Sequence, residues 1–167
     1  MRREIVKPVF LSIPVLAVAA ILGVIAMAVS VGTVLATSGS GITREDFSVA
    51  TLAPFHLQQK DFHIRSDNET DVVMRKAMIA EEGHSGWHTH PGLTIVTVAQ
   101  GQVKFTRYTK NGCVEHVAGL GEGFVEPGNE VHIAENIGTG DAVLYVTSLN
   151  VPVGGATADS SPEDPGC

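Results

Sequence analysis

Three histidines carry the pattern that chemistry would need. His88 and His90 stand two apart in Trp87-His88-Thr89-His90-Pro91, and His132 closes Pro127-Gly128-Asn129-Glu130-Val131-His132. Imidazole is the commonest side-chain metal ligand at neutral pH, because its lone pair is available without deprotonation. On a β-strand, a spacing of two turns both rings to one face. A third histidine from a neighbouring strand would complete a three-nitrogen face and leave positions open for water or substrate. A shared zinc-like ion at about 2.0–2.1 Å would draw the ring nitrogens to about 3–4 Å of one another. His56, His63, His84 and His116 lack such a pattern and read as surface or packing residues. No clear general acid or base stands out beyond Glu126, Glu130 and Glu135.

The elements that must hold these rings are strands. Residues 72–80, 93–99, 102–109, 113–118, 123–126, 131–135 and 142–150 are β-branched or alternate apolar with polar, and turn residues separate them. Lys110-Asn111-Gly112 makes a hairpin turn, since Asn-Gly tolerates positive φ. Residues 62–64 add an edge strand, and nothing after residue 44 has a helical period. Many short strands with Gly-rich turns mean an antiparallel sandwich or barrel. Phe105 and Phe124 read as core, and strand parity points Trp87 away from the two histidines, towards packing. Tyr145 fits either core or cavity lining.

Taken together, these residues resemble the two motifs of the cupin family. The first family motif is Gly, five residues, His-x-His, three or four residues, Glu, six residues, Gly. Here His88, His90 and Gly101 keep the spacing, Thr94 holds the Glu position, and Gly83 is one residue out of register. The second motif, Gly, five residues, Pro-x-Gly-x-x-His, three residues, Asn, matches at Gly121, Pro127, His132 and Asn136, with Asn129 for the inner Gly. Asn is the commonest non-glycine residue at positive φ, so the turn is kept. The resemblance spans roughly 74–151. It implies an all-β jelly-roll barrel that binds a divalent metal inside through His88, His90 and His132. Iron, zinc, manganese, nickel and copper all fit such ligands.

Thr94 then becomes a residue that hydrogen-bonds a metal-bound water, and Glu130 has the parity to substitute as a ligand. Glu130, Thr94 and Tyr145 are thus the pocket candidates beside the metal. Three neutral imidazoles leave a divalent ion its full charge, which favours an anionic or chelating oxygen ligand at the open positions. Three readings follow from the resemblance. One is a barrel that binds metal and a small organic ligand, with no assigned activity. The others are a metal-dependent dioxygenase of small organic substrates, and a barrel that has kept the fold without the metal. A homodimer is left open.

The rest of the chain bounds where such a barrel works. No Asp, Glu, Lys or Arg occurs from residue 8 to 43, and residues 15–36 (VLAVAAILGVIAMAVSVGTVLA) form an apolar run of 22. At about 1.5 Å per residue this makes about 33 Å of helix, against a hydrocarbon core of about 30 Å. Arg2, Arg3 and Lys7 outweigh Glu4, which puts residues 1–7 in the cytoplasm and the barrel outside. The expected organisation is a transmembrane helix or signal-anchor over 8–37, a linker over 38–45, a barrel over 46–152 and a disordered tail over 153–167. Secretion after cleavage at Ala36 is the alternative.

The whole chain carries a net charge of −7. Setting aside the three basic residues and one acid before residue 44 leaves −9, which disfavours nucleic acid and anionic headgroups. Cys113 and Cys167 are the only cysteines, able to pair in an oxidising compartment or to remain as thiols.

Overall fold

A computed structural model describes residues 38–160 and 164–167. The apolar segment before residue 38, with the expected anchor and cleavage site, lies outside the described residues. Among the described residues there is no helix, and hence none long and apolar enough to cross a membrane. The strands are β1 (Ser40–Leu52), β2 (Phe55–Gln59), β3 (Phe62–Ser66), β4 (Thr70–His84), β5 (His88–Thr89), β6 (Thr94–Gln100), β7 (Gln102–Thr109), β8 (Gly112–Gly119), β9 (Gly123–Glu126), β10 (His132–Asn136), β11 (Ala142–Val151) and β12 (Asp159–Ser160).

Ten of these strands form one antiparallel, nearly closed barrel-like sheet, in the order β12-β5-β10-β4-β11-β6-β9. β1 runs along β4, and β7 joins β10 to β8. Among the described residues, β2 and β3 pair only with each other. The all-β expectation is therefore met, in a form consistent with a jelly roll.

Alternation decides which side chains enter the barrel. On β6, Thr94, Val96 and Val98 are buried while Ile95 and Thr97 face out; on β9, Phe124 and Glu126 are buried and Val125 is exposed. Phe105 of β7 stacks on Phe124 with ring centroids 4.7 Å apart. Around them pack Ile79, Val98, Val103, Ala118 and Leu144. Burying these apolar side chains contributes roughly 25 cal/mol per Å² removed from water, and the stacked ring pair adds to it.

Two segments differ from the sequence expectation. The stretch read as a linker begins β1, a strand of 13 residues. Almost all its side chains are exposed, so it lacks the alternation by which strands are recognised. Backbone pairing to β4 holds it, reinforced by a two-pronged ion pair in which Arg75 donates to Asp46 at 2.6 and 3.0 Å. The stretch after Gly154, expected to be disordered for want of apolar residues, crosses back to the barrel. There β12 pairs with β5, opposing Ser160 to His88. Its end is tied by a Cys113–Cys167 disulfide that brings the two Cα atoms to 5.9 Å. Backbone pairing at Asp159–Ser160 and the covalent link at Cys167 tie the described parts of this segment to the barrel.

Candidate metal centre

His88 lies on β5 directly opposite His132 of β10, and His90 follows the end of β5. Around them the chain turns sharply. Asn129 adopts φ 61°, as its place in the second motif implied, and donates its N–H to the His90 carbonyl at 2.8 Å. Gly92 passes so close to β11 that a Cβ there would run into the Leu149 carbonyl oxygen. Asn136 spends its side-chain amide on the carbonyls of Ile79 at 2.9 Å and Gly140 at 2.8 Å, which binds β10 to β4 and to the following turn.

Each histidine is oriented by a backbone carbonyl. Nδ1 contacts the oxygen of Gly86 at 2.9 Å for His88, of Thr157 at 2.6 Å for His90 and of Glu130 at 2.8 Å for His132. A carbonyl only accepts, so each Nδ1 carries a proton, and in the neutral ring each Nε2 keeps its lone pair. The three ligand nitrogens lie within 4.8 Å of one another, wider than the 3–4 Å expected of a set already drawn together. His132 is wholly buried. The Nε2 atoms of His90 and His132 are buried without a hydrogen-bond partner. Leaving two such nitrogens orphaned costs about 1–3 kcal/mol each. These converging lone pairs fit a divalent cation, which His88, His90 and His132 would hold. Bound there it would supply Lewis acidity and open coordination positions.

A carboxylate stands beside them. Glu126, 4% exposed, places Oε2 at 2.9 Å from His90 Nε2 and Oε1 at 3.6 Å from His132 Nε2. The 2.9 Å contact is short enough for a hydrogen bond once His90 Nε2 carries a proton, whereas the 3.6 Å contact to His132 is too long for one. The electrostatics follow. Burial first, then the neighbouring imidazoles, pushes the His88 pKa down to about 3. Burial also lowers His132. At His90 burial acts against protonation, but the adjacent carboxylate outweighs it and the pKa rises. Burial would raise Glu126, yet its contact with His90 and the other imidazoles hold it below the usual carboxylate value.

Space reaches this cluster from outside. A cavity of about 40 Å³ touches His88, His90 and Glu126. A cleft of about 530 Å³ shares Arg44, Arg75, Ser85 and His88 with it, and residues 154–158 form one wall. Arg75 is neutralised by Asp46. Arg44 donates to the Ser85 carbonyl at 3.3 Å and has no ion-pair partner among the described residues. Loss of water around its guanidinium is the leading cause of a lowered pKa.

The three metal candidates are thus brought together, and the other candidates are distributed differently. Thr94 is fully buried, but its hydroxyl donates to Ser148 at 3.3 Å. Glu130 turns its carboxylate to Arg107 at 3.0 Å, so parity fails in this turn and only its backbone serves His132. Tyr145 is 47% exposed on the outer face, edge-on to Phe47, and lines neither cavity. Trp87, in the bend just before β5, is buried. Glu126, named from the sequence only beside Glu130 and Glu135 as a possible acid or base, shares strand parity with Phe124, which put it inside the barrel; Arg44 was missed, on a strand without alternation that left no signal.

Residues 76–148 match the family model described as the cupin domain, which supports the resemblance read from the two motifs. None of the curated proteins matches the chain in sequence. Among solved structures, Peruvianin-I, the cysteine peptidase from Thevetia peruviana latex, is 20% identical with a TM-score of 0.48, over 54% of this chain and 55% of that one. Oxalate oxidase in complex with the substrate analogue glycolate is 27% identical with a TM-score of 0.45, over 48% of this chain and 42% of that one. The oxalate decarboxylase formate complex from Lactobacillus farciminis is 21% identical with a TM-score of 0.46, over 53% and 26%. The chain spans about half the length of the first of these structures, and less of the others.

Proposed function

We propose that this chain is a metal-binding cupin that holds one divalent cation on His88, His90 and His132 and takes a small anionic organic ligand beside it. One observation carries the metal: three Nδ1 atoms are committed to backbone carbonyls while the Nε2 lone pairs converge in the barrel. The anion rests on Arg44, a cation without a carboxylate partner, at the junction between the cleft and the cavity beside His88. An anion there would regain the Coulomb energy that Arg44 forgoes, in a cleft where charge is less screened than in bulk water.

The same reading places the barrel outside the cytoplasm on an uncleaved N-terminal anchor. The length of the apolar run and the basic residues ahead of it support this, and so does a disulfide, which persists in oxidising compartments.

Purified full-length chain is expected to carry about one equivalent of divalent metal, and His132→Ala to lose most of it, because one of three ligands is gone. Metal-loaded protein is expected to bind acetate in preference to acetamide, and Arg44→Gln to abolish that preference. Equal metal content in wild type and His132→Ala would overturn the site. Protection of the barrel from external protease would overturn the topology.

A further inference from the structure

The position at which the cupin motif carries a glutamate holds Thr94 here, yet the centre is not without a carboxylate. Thr94 of β6 pairs directly with Glu126 of β9. Facing residues in an antiparallel pair have Cβ atoms about 4.5–5.5 Å apart and share one face, so the two positions look into the same space. We propose that Glu126 is the fourth protein ligand of this centre, its carboxylate delivered from the strand next to the one on which the motif places it. The proposal deepens the three-histidine reading and rests on it.

Three observations carry it. The first is reach: Glu126 Oε2 and Oε1 lie 2.9 and 3.6 Å from the ligand nitrogens of His90 and His132. Ligands at about 2.0–2.1 Å from a common ion stand roughly 3–3.4 Å apart, so these are the separations of neighbours in one coordination shell. The second is direction. A carboxylate oxygen facing an imidazole lone pair at 2.9 Å is repulsive unless a cation lies between them. A proton on His90 Nε2 would relieve that one contact, but it leaves His132 Nε2, buried without a hydrogen bond and 3.6 Å from Oε1, unserved. A cation off that line would bond to oxygen and nitrogen alike.

The third observation is burial. Glu126 is 4% exposed and has no Lys or Arg ion-pair partner among the described residues, whereas Glu130 and Glu135 are paired to Arg107 and Lys104. A buried carboxylate with only imidazole neighbours is costly, and coordinating a metal together with them offsets that cost. A fourth, anionic ligand also halves the charge that three imidazoles would leave on a divalent ion.

Cobalt(II) serves as the probe, because its visible d–d bands report the ligand set without any assay of activity. Full-length chain is titrated with Co²⁺ as wild type, His132→Ala, Glu126→Gln and the exchange variant Thr94→Glu/Glu126→Thr. Glu126→Gln is expected to weaken Co²⁺ on the order of tenfold or more and to change the d–d spectrum, since loss of mere outer partners already costs about 10–100-fold. The exchange variant should restore the wild-type spectrum and affinity, because it returns a carboxylate to the same space from the facing strand. Infrared difference spectra of wild type, labelled with ¹³C-glutamate, should show a carboxylate stretch shifting on Co²⁺ addition. This last measurement needs no variant to fold.

Unchanged affinity in Glu126→Gln overturns the proposal, as does weaker binding with an unchanged d–d spectrum, or no carboxylate shift in the wild type. If wild type binds no Co²⁺, or His132→Ala binds it equally, the three-histidine reading fails. Loss in His132→Ala with no effect of Glu126→Gln sinks the fourth ligand alone.

Discussion

The interior of the barrel has two ends built from the same strands. Across β11, β6 and β9 the register sets Leu144 opposite Val98, and sets Val146, Val96 and Phe124 in the next inward row. One row further along, the same three strands present Ser148, Thr94 and Glu126. On the facing wall, Ala134 pairs with Phe105, and two residues away His132 pairs with His88. Each strand changes from apolar to polar over a single step of two residues. The apolar end holds the strands in register by burial, and the polar end is held by directed bonds, such as the three backbone carbonyls on the histidine Nδ1 atoms. Positioning of the site is thus inherited from packing a row away.

If the two ends are separable, damage to the apolar end should lower stability and leave the centre's composition intact. Phe124→Ala removes a ring stacked on Phe105 and is expected to cost about 3–5 kcal/mol, read from denaturant unfolding. At saturating metal the folded variant should still bind about one equivalent, as measured by elemental analysis. Loss of metal in the folded fraction would show that the two ends are one unit.

Acid should act on the polar end. An unfolded histidine takes up a proton near pH 6.5, while folded His88 stays neutral down to about 3, so the unfolded chain binds more protons in between. His88 therefore contributes stability that is present above pH 6.5 and is lost as the pH falls below it. For metal-free protein the loss from His88 should be about 1 kcal/mol between pH 6.5 and 5.5. His132, also lowered, adds to this loss, and His90, raised, works against it. His88→Gln is expected to flatten the pH dependence of the unfolding midpoint, and an equally steep profile would remove His88 as its source.

The smallest effect belongs to Thr94, on the boundary between the two ends. Thr94→Val deletes one hydrogen bond of 3.3 Å to Ser148 and is expected to cost about 1 kcal/mol, with metal content unchanged. Metal loss as complete as in His132→Ala would make Thr94 a ligand.

Much of this arrangement is legible in the residues. The strand β7 over 102–109 was read to the residue, and the hairpin turn after it was read one residue long: Lys110 and Asn111 form it, and Gly112, at φ 102°, already begins β8. The grouping of the three histidines and the positive φ of Asn129 were read from their spacing together with the resemblance to the cupin motifs. Glu130, carried as a substitute ligand only if strand parity held, lies in the turn before β10 where parity fails, and its carboxylate pairs with Arg107. Tyr145 has a strand's alternation but sits on its outer face. β1 and the segment after Gly154 were missed for one reason: both are held by backbone pairing, ion pair or disulfide, and apolar periodicity records none of these.

The amino-acid order by itself determined which residues are able to bind metal, which strands alternate and where the chain turns, because these depend on neighbours two to six residues away. The tertiary structure decided the partners. That Glu126 faces Thr94, that the Thr157 carbonyl holds His90, and that Arg44 opens onto the histidines depend on strand register and on chain segments 32 to 67 residues apart. Register is a property of the whole sheet, set where apolar rows interlock, and no local pattern carries it.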